Sequence, residues 1–138
     1  MDQRPAELRE RTKQFALRVI RLCQALPKTG EGKVLGQQLL RCGTSVAANY
    51  RAACWARSKA EFIARISIVA EGADESVLWL EMLLESGVLS AKRVDPLLKE
   101  AHALAAIFTA SEHTSRENAK SIPQFRNSAI PQSLERAN

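Results

Sequence analysis

The sequence predicts an all-α protein, an up-down-up-down antiparallel four-helix bundle. Three observations carry that prediction. Apolar residues recur every three or four positions over four long segments. Alanine is abundant, with 21 in 138 residues, and aromatic residues are scarce at 5%; that balance favours helix over sheet. Glycine and proline total 11, too few to turn a chain of short strands. Neither a period-two segment nor an internal repeat is visible.

The first helix is written in Leu8, Thr12, Phe15, Val19, Leu22 and Leu26, one amphipathic stripe widened by Ala16, Ile20 and Cys23. Arg9, Arg11, Lys13, Arg18 and Arg21 fall mostly on its other faces. Pro5 suits a first turn and Pro27 ends the segment. A second helix starts near Gly32, with Leu35, Leu39, Cys42, Val46 and Ala53 as its seam. Arg41, Ser45 and Asn49, spaced four apart, form a polar stripe beside that seam. Gly43 inside this helix suggests close approach of another helix.

Ser58 and Glu61 form a capping box at the start of the third helix. Phe62, Ile66, Val69, Ala73, Val77, Leu80 and Leu84 give its seam. Ile63, Ile68, Ala70, Leu78, Trp79, Met82 and Leu83 cannot all share that stripe, so the helix is buried on two sides. The second side is expected to be another subunit, with Trp79 and Leu83 at the interface. Gly87 supplies a left-handed cap, with Val88 folding back. Asp95-Pro96 starts a fourth helix, unless Ser90 starts it a turn earlier. Leu97, Ala101, Leu104 and Phe108 are its seam, and the pattern fades near Ser115. The expected organisation is a bundle over residues 1–116 and a flexible tail over 117–138.

Net charge is +5, unevenly spread. Residues 1–65 hold 13 Lys or Arg against 5 Asp or Glu; residues 66–100 hold 3 against 7. A basic half suits nucleic acid, RNA or DNA, through phosphates, and equally suits docking on an acidic half of a neighbouring copy. The longest stretch free of charge, Ala101–Ser111, has 11 residues, short of the roughly 20 of a membrane span. Residues Met1–Pro5 lack the apolar core of a signal peptide. A cytoplasmic protein without a membrane association is expected.

Cys23, Cys42 and Cys54 are odd in number and too far apart for a zinc or redox motif. His102 and His113 belong to no Glu-x-x-His pair, so no metal is expected. No phosphate loop or nucleophile elbow is present, and no cofactor or small-molecule substrate is evident. Glu71, Asp74 and Glu75 form an acidic patch on the third helix. Paired carboxylates are one route to acid–base catalysis; the structural alternative, preferred here, is that they partner Arg41, Ser45 and Asn49 in a buried network. The expectation is therefore no enzyme.

The run from Gln38 to Ala52, with its Gln-x-x-Arg-x-x-x-Ser-x-x-x-Asn core, resembles a family signature. Phe15 to Pro27, Ser58 to Ile63, Ala70 to Ser76 and Trp79-Leu80 extend the match to roughly residues 8–110. These residues resemble the bacterial four helix bundle proteins associated with intervening sequences of 23S ribosomal RNA genes. More distantly they resemble the accessory proteins of diversity-generating retroelements. Tyr50-Arg51-Ala52-Ala53 departs from the family's usual Ala-Glu-Gly-type continuation, so its surface charge does not transfer. The resemblance implies a four-helix bundle assembling as a ring, typically a pentamer, with no established enzymatic activity. It places Arg41, Ser45, Asn49, Glu71 and Glu75 in a polar network within or between bundles. The function expected is a self-assembling scaffold or adaptor that binds RNA through its basic half. The alternative is a protein-binding module whose charge asymmetry serves only assembly.

Overall fold

The computed structural model describes residues 3–120. It contains four antiparallel helices in chain order: α1 (Arg4–Gln24), α2 (Gly30–Cys54), α3 (Lys59–Glu85) and α4 (Ala91–Lys120). Each helix packs on its neighbours in sequence, and α4 closes on α1 through the thinnest of the four seams.

The helix ends follow from local chemistry. Thr29 Oγ1 accepts from Gly32 N at 3.1 Å and caps α2. Ser58 Oγ accepts from Glu61 N, and the Glu61 carboxylate reaches back to Arg57 N, both at 3.1 Å. Gly87, at φ +77°, ends α3 and lets Leu89 N reach Leu83 O at 3.2 Å. The side chain that folds back into the core is Leu89; Val88 is half-buried.

Three sequence expectations shift here. Ser90 starts α4: its carbonyl accepts from Val94 N at 3.1 Å, and Asp95-Pro96 lies inside the helix. Pro96 is the sixth helical residue, so it forfeits one backbone bond near an end where solvent compensates. The helix also continues past Arg116 to Lys120, with Ala119 buried. The remainder of the expected tail, 121–138, lies outside the described residues.

The core is a single cluster. Phe15 and Val19 of α1, Leu39 and Val46 of α2, Ile66, Leu80 and Leu83 of α3, and Leu104 and Phe108 of α4 are essentially inaccessible to solvent. Burial of such side chains stabilises by about 1.5–3 kcal/mol each. Among the described residues, Thr12 and Ser76 are polar and fully buried, and both bond within their own helix. Thr12 Oγ1 donates to Leu8 O and Ser76 Oγ to Gly72 O, each at 2.8 Å. A Cβ on Gly43 would lie 2.8 Å from Val19 Cγ2. The close approach of α1 and α2 therefore depends on the missing side chain, which offsets the roughly 1 kcal/mol that glycine costs a helix.

Candidate functional site

The residues nominated from sequence fall on two opposite kinds of surface. On α2 and α3, Arg41 donates through Nη2 to Glu75 Oε2 at 2.7 Å and to Gln38 Oε1 at 3.0 Å. The pair is solvent-facing, with Arg41 and Glu75 side chains 57% and 43% exposed. This corrects the expectation of a buried ion pair: Arg41 faces outward, and Glu75 raises its pKa mainly through the hydrogen bond. Asn49 does not meet a carboxylate. Its side-chain amide donates to Ser45 Oγ at 2.9 Å and Ser45 O at 3.0 Å, and its Oδ1 accepts from Arg65 Nη1 at 3.0 Å. Arg65 is thus a member of the network that the sequence reading missed. Glu71 is exposed and joins neither group.

The two groups flank apolar side chains left in solvent. Ile68, Leu78 and Met82 of α3 are 41–47% exposed, and Val34 and Leu40 of α2 are 57% and 39% exposed. Ile68, Glu71, Glu75, Leu78 and Met82 lie on one helical stripe, three or four residues apart. Leu83 is not part of it: it is fully buried within the protomer. Its nomination as an interface residue is corrected, because α2 and α4 together cover that side of α3. Trp79 is half-buried against the core, and its Nε1 is buried without an acceptor.

The second surface belongs to α1 and the start of α4. Helix α1 holds six Lys or Arg against two Glu, whereas α3 holds two against six. Arg9, Arg11, Lys13, Arg18 and Arg21 are the nucleic-acid contacts that the sequence suggests, with Arg11 on the outer face of α1. Arg11 instead forms a bidentate pair with Glu100 across the α1–α4 seam, Nε to Oε2 and Nη2 to Oε1, both 2.8 Å. Lys13 and Arg21 are exposed, and Arg9 and Arg18 half-buried. Arg18, Arg21 and Arg93 line a shallow groove of about 380 Å³ between α1 and α4, in which no carboxylate appears.

Burial and pairing set the state of the thiols and of Glu75. The Cys23 thiol is pushed up to about 11 by burial and then by nearby Cys42, so it stays protonated at neutral pH. Burial also raises Cys42, opposed by its contact with Ser76 Oγ at 3.3 Å. Glu75 is engaged by Arg41 on an open surface. Among the described residues, no group of three or more His, Cys, Asp or Glu is placed to hold a metal ion, and no helix is long and apolar enough to cross a membrane.

Comparison with known proteins adds two findings. The family model described as 23S rRNA-intervening sequence protein matches residues 5–110. A solved structure from Bacteroides thetaiotaomicron VPI-5482, described as a protein of unknown function from the S23 ribosomal protein family, superposes with a TM-score of 0.71 at 27% identity. The alignment covers 76% of this chain and 97% of that one. A search of curated proteins returns no significant match.

Proposed function

The chain belongs to the 23S rRNA-intervening sequence protein family, and from that premise we propose that it is a non-enzymatic, self-assembling scaffold of the cytoplasm that binds RNA. The observation that carries the assembly is the exposed stripe of Ile68, Leu78 and Met82, continued on α2 by Val34. A surface that leaves several large apolar side chains in water around a salt bridge has the make-up of an interface core with a polar rim. The acidic α3 of one copy complements the basic α2 of the next, which leaves α1 free. Such head-to-tail contact closes into a ring, and a pentamer is the expected size. The basic α1, repeated around a ring, multiplies a few weak phosphate contacts through effective concentration, by about 10²–10⁴. Nothing on this face reads base edges, so the binding is sequence-tolerant.

A second reading takes the charge asymmetry as serving assembly alone, with a protein as the partner. The matched opposite charges of α1 and α3 favour it.

Multi-angle light scattering tests the assembly. The wild type should run as an oligomer, and Ile68→Glu with Leu78→Glu should run as a helical monomer. A wild type that is monomeric at micromolar concentration refutes it. Retention on structured RNA across a salt series separates the two readings. Arg18→Glu with Arg21→Glu should leave the oligomer intact and flatten the salt dependence. A wild-type ring with no salt-dependent retention would favour the protein-partner reading.

A further inference from the structure

At one end of the bundle all four helices meet around a cleft of about 520 Å³, the size of a small-ligand site. α1 and α3 begin there while α2 and α4 end there, so their macrodipoles oppose in pairs and the local field is set by side chains. Those side chains are one-sided. Arg9 of α1, Arg57 of the α2–α3 turn and Lys59 of α3 line the cleft, and no Asp or Glu does. None of the three forms a side-chain ion pair among the described residues. Of the carboxylates close in sequence, Glu10 beside Arg9 is engaged by the Gln14 amide and Glu61 by the backbone N–H of Arg57. Arg9 is half-buried, and no carboxylate lines the cleft beside it. The lining also carries apolar surface from Phe62, Ile63 and Tyr50, the last packed in a tilted contact on Phe108 with ring centroids 5.1 Å apart.

We propose that this cleft binds a nucleoside 5′-monophosphate group, either as a free nucleotide or as the 5′-phosphorylated end of an RNA chain. Three cations contributed by three different segments match a compact dianion, and two guanidinium groups offer forked donors to phosphate oxygens. The apolar part of the lining receives the sugar and base, with the Phe62 ring as a stacking surface. The site lies within one protomer and does not need the ring. It rests on the RNA-binding reading only for the second of its two sources.

Calorimetric titration with adenosine 5′-monophosphate, with adenosine as control, tests the free-nucleotide source. Fluorescence polarisation of one oligoribonucleotide, prepared with a 5′-phosphate and with a 5′-hydroxyl, tests the other. At least one arm should show a tenfold or greater preference for the phosphorylated form. Arg57→Ala and Arg9→Ala should each abolish that preference while thermal melting by circular dichroism stays near wild type. Binding of the nucleotide alone assigns the cleft to free nucleotides; a 5′-end preference alone assigns it to RNA termini. Absence of any phosphate preference in both arms overturns the proposal, as does a preference that survives both substitutions. Arg18→Glu with Arg21→Glu keeps the outcomes separable. It should weaken RNA carrying either 5′ end equally and leave nucleotide binding unchanged.

Discussion

The α2–α3 hairpin and the α1–α4 seam are built from the same kinds of residue and end up opposite in character. Between α2 and α3 the interior is closely packed, down to the buried Cys42–Ser76 contact at 3.3 Å. What is left over on the outside is apolar: Ile68, Leu78, Met82 and Val34. Between α1 and α4 the contact is thin and bridged by the Arg11–Glu100 pair, and what is left over is positive: Arg18, Arg21 and Arg93. Connectivity explains the difference. A short turn fixes the register of α2 against α3, so their apolar positions interdigitate along the full length. α1 and α4 are joined only through the rest of the bundle, and a polar pair closes the gap. The hairpin face is thereby left apolar and the closing seam positive.

The largest effect that sharpens this contrast lies within α3 itself. Leu83 is fully buried and Leu78 is 47% exposed, five residues away on the same helix. Leu83→Ala should cost about 2–5 kcal/mol, through lost transfer energy and a residual cavity. Its midpoint in urea should fall with little change in slope. Leu78→Ala should shift stability by no more than about 0.5 kcal/mol, yet lower the oligomer mass in light scattering. Exchange of those two phenotypes would mean that the inner and outer faces of α3 are assigned the wrong way round.

A smaller effect comes from Asn49. Its amide is half-buried and holds both Ser45 and Arg65. Asn49→Ala should lower stability by about 1 kcal/mol, measured by chemical denaturation, with the oligomer retained. A neutral result would mean that water replaces these bonds, and that the hairpin register is held by its apolar contacts alone.

Much of this architecture is legible in the residues. Periodicity places all four helices and nearly all of the core, and Ser58 and Gly87 mark their helix ends by chemistry any reader of caps recognises. The polar contacts were harder. Asn49 and Arg65 each lie eight residues from Arg57 at the turn, so an antiparallel hairpin brings them together; that count was available in the sequence. Glu71 instead lies on the solvent-facing side of α3. Leu83 was misplaced because α3 is apolar on several faces, and a pattern without a polar side cannot say which way is in. Arg11 and Glu100 are 89 residues apart. Their meeting depends on how the first and last helices close, which no local pattern encodes. Burial of the Arg41–Glu75 pair was inferred from its place beside the core stripe, but a long side chain carries its charge outward from such a position.

The finest test compares the two cross-helix ion pairs, because the structure reverses the order suggested by sequence. Arg11 engages both oxygens of Glu100 in a bidentate fork, and the Glu100 side chain is only 18% exposed. Arg41 makes a single bond to Glu75 and shares its guanidinium with Gln38, with both charged groups open to water. Solvent-exposed pairs stabilise by about 0.2–1 kcal/mol, and bidentate geometry lies toward the upper part of that range. A double-mutant cycle on Arg11→Ala and Glu100→Ala should therefore give the larger coupling, and one on Arg41→Ala and Glu75→Ala the smaller. Screening discriminates further. Raising the salt from 0.1 to 1 M shortens the Debye length from about 10 to about 3 Å, which should erode the exposed Arg41 coupling more than that of Arg11. A stronger coupling at Arg41, measured on the monomeric Ile68→Glu, Leu78→Glu background, would show that the hairpin face gains its order from its own charges. The α1–α4 seam would then be the less organised of the two.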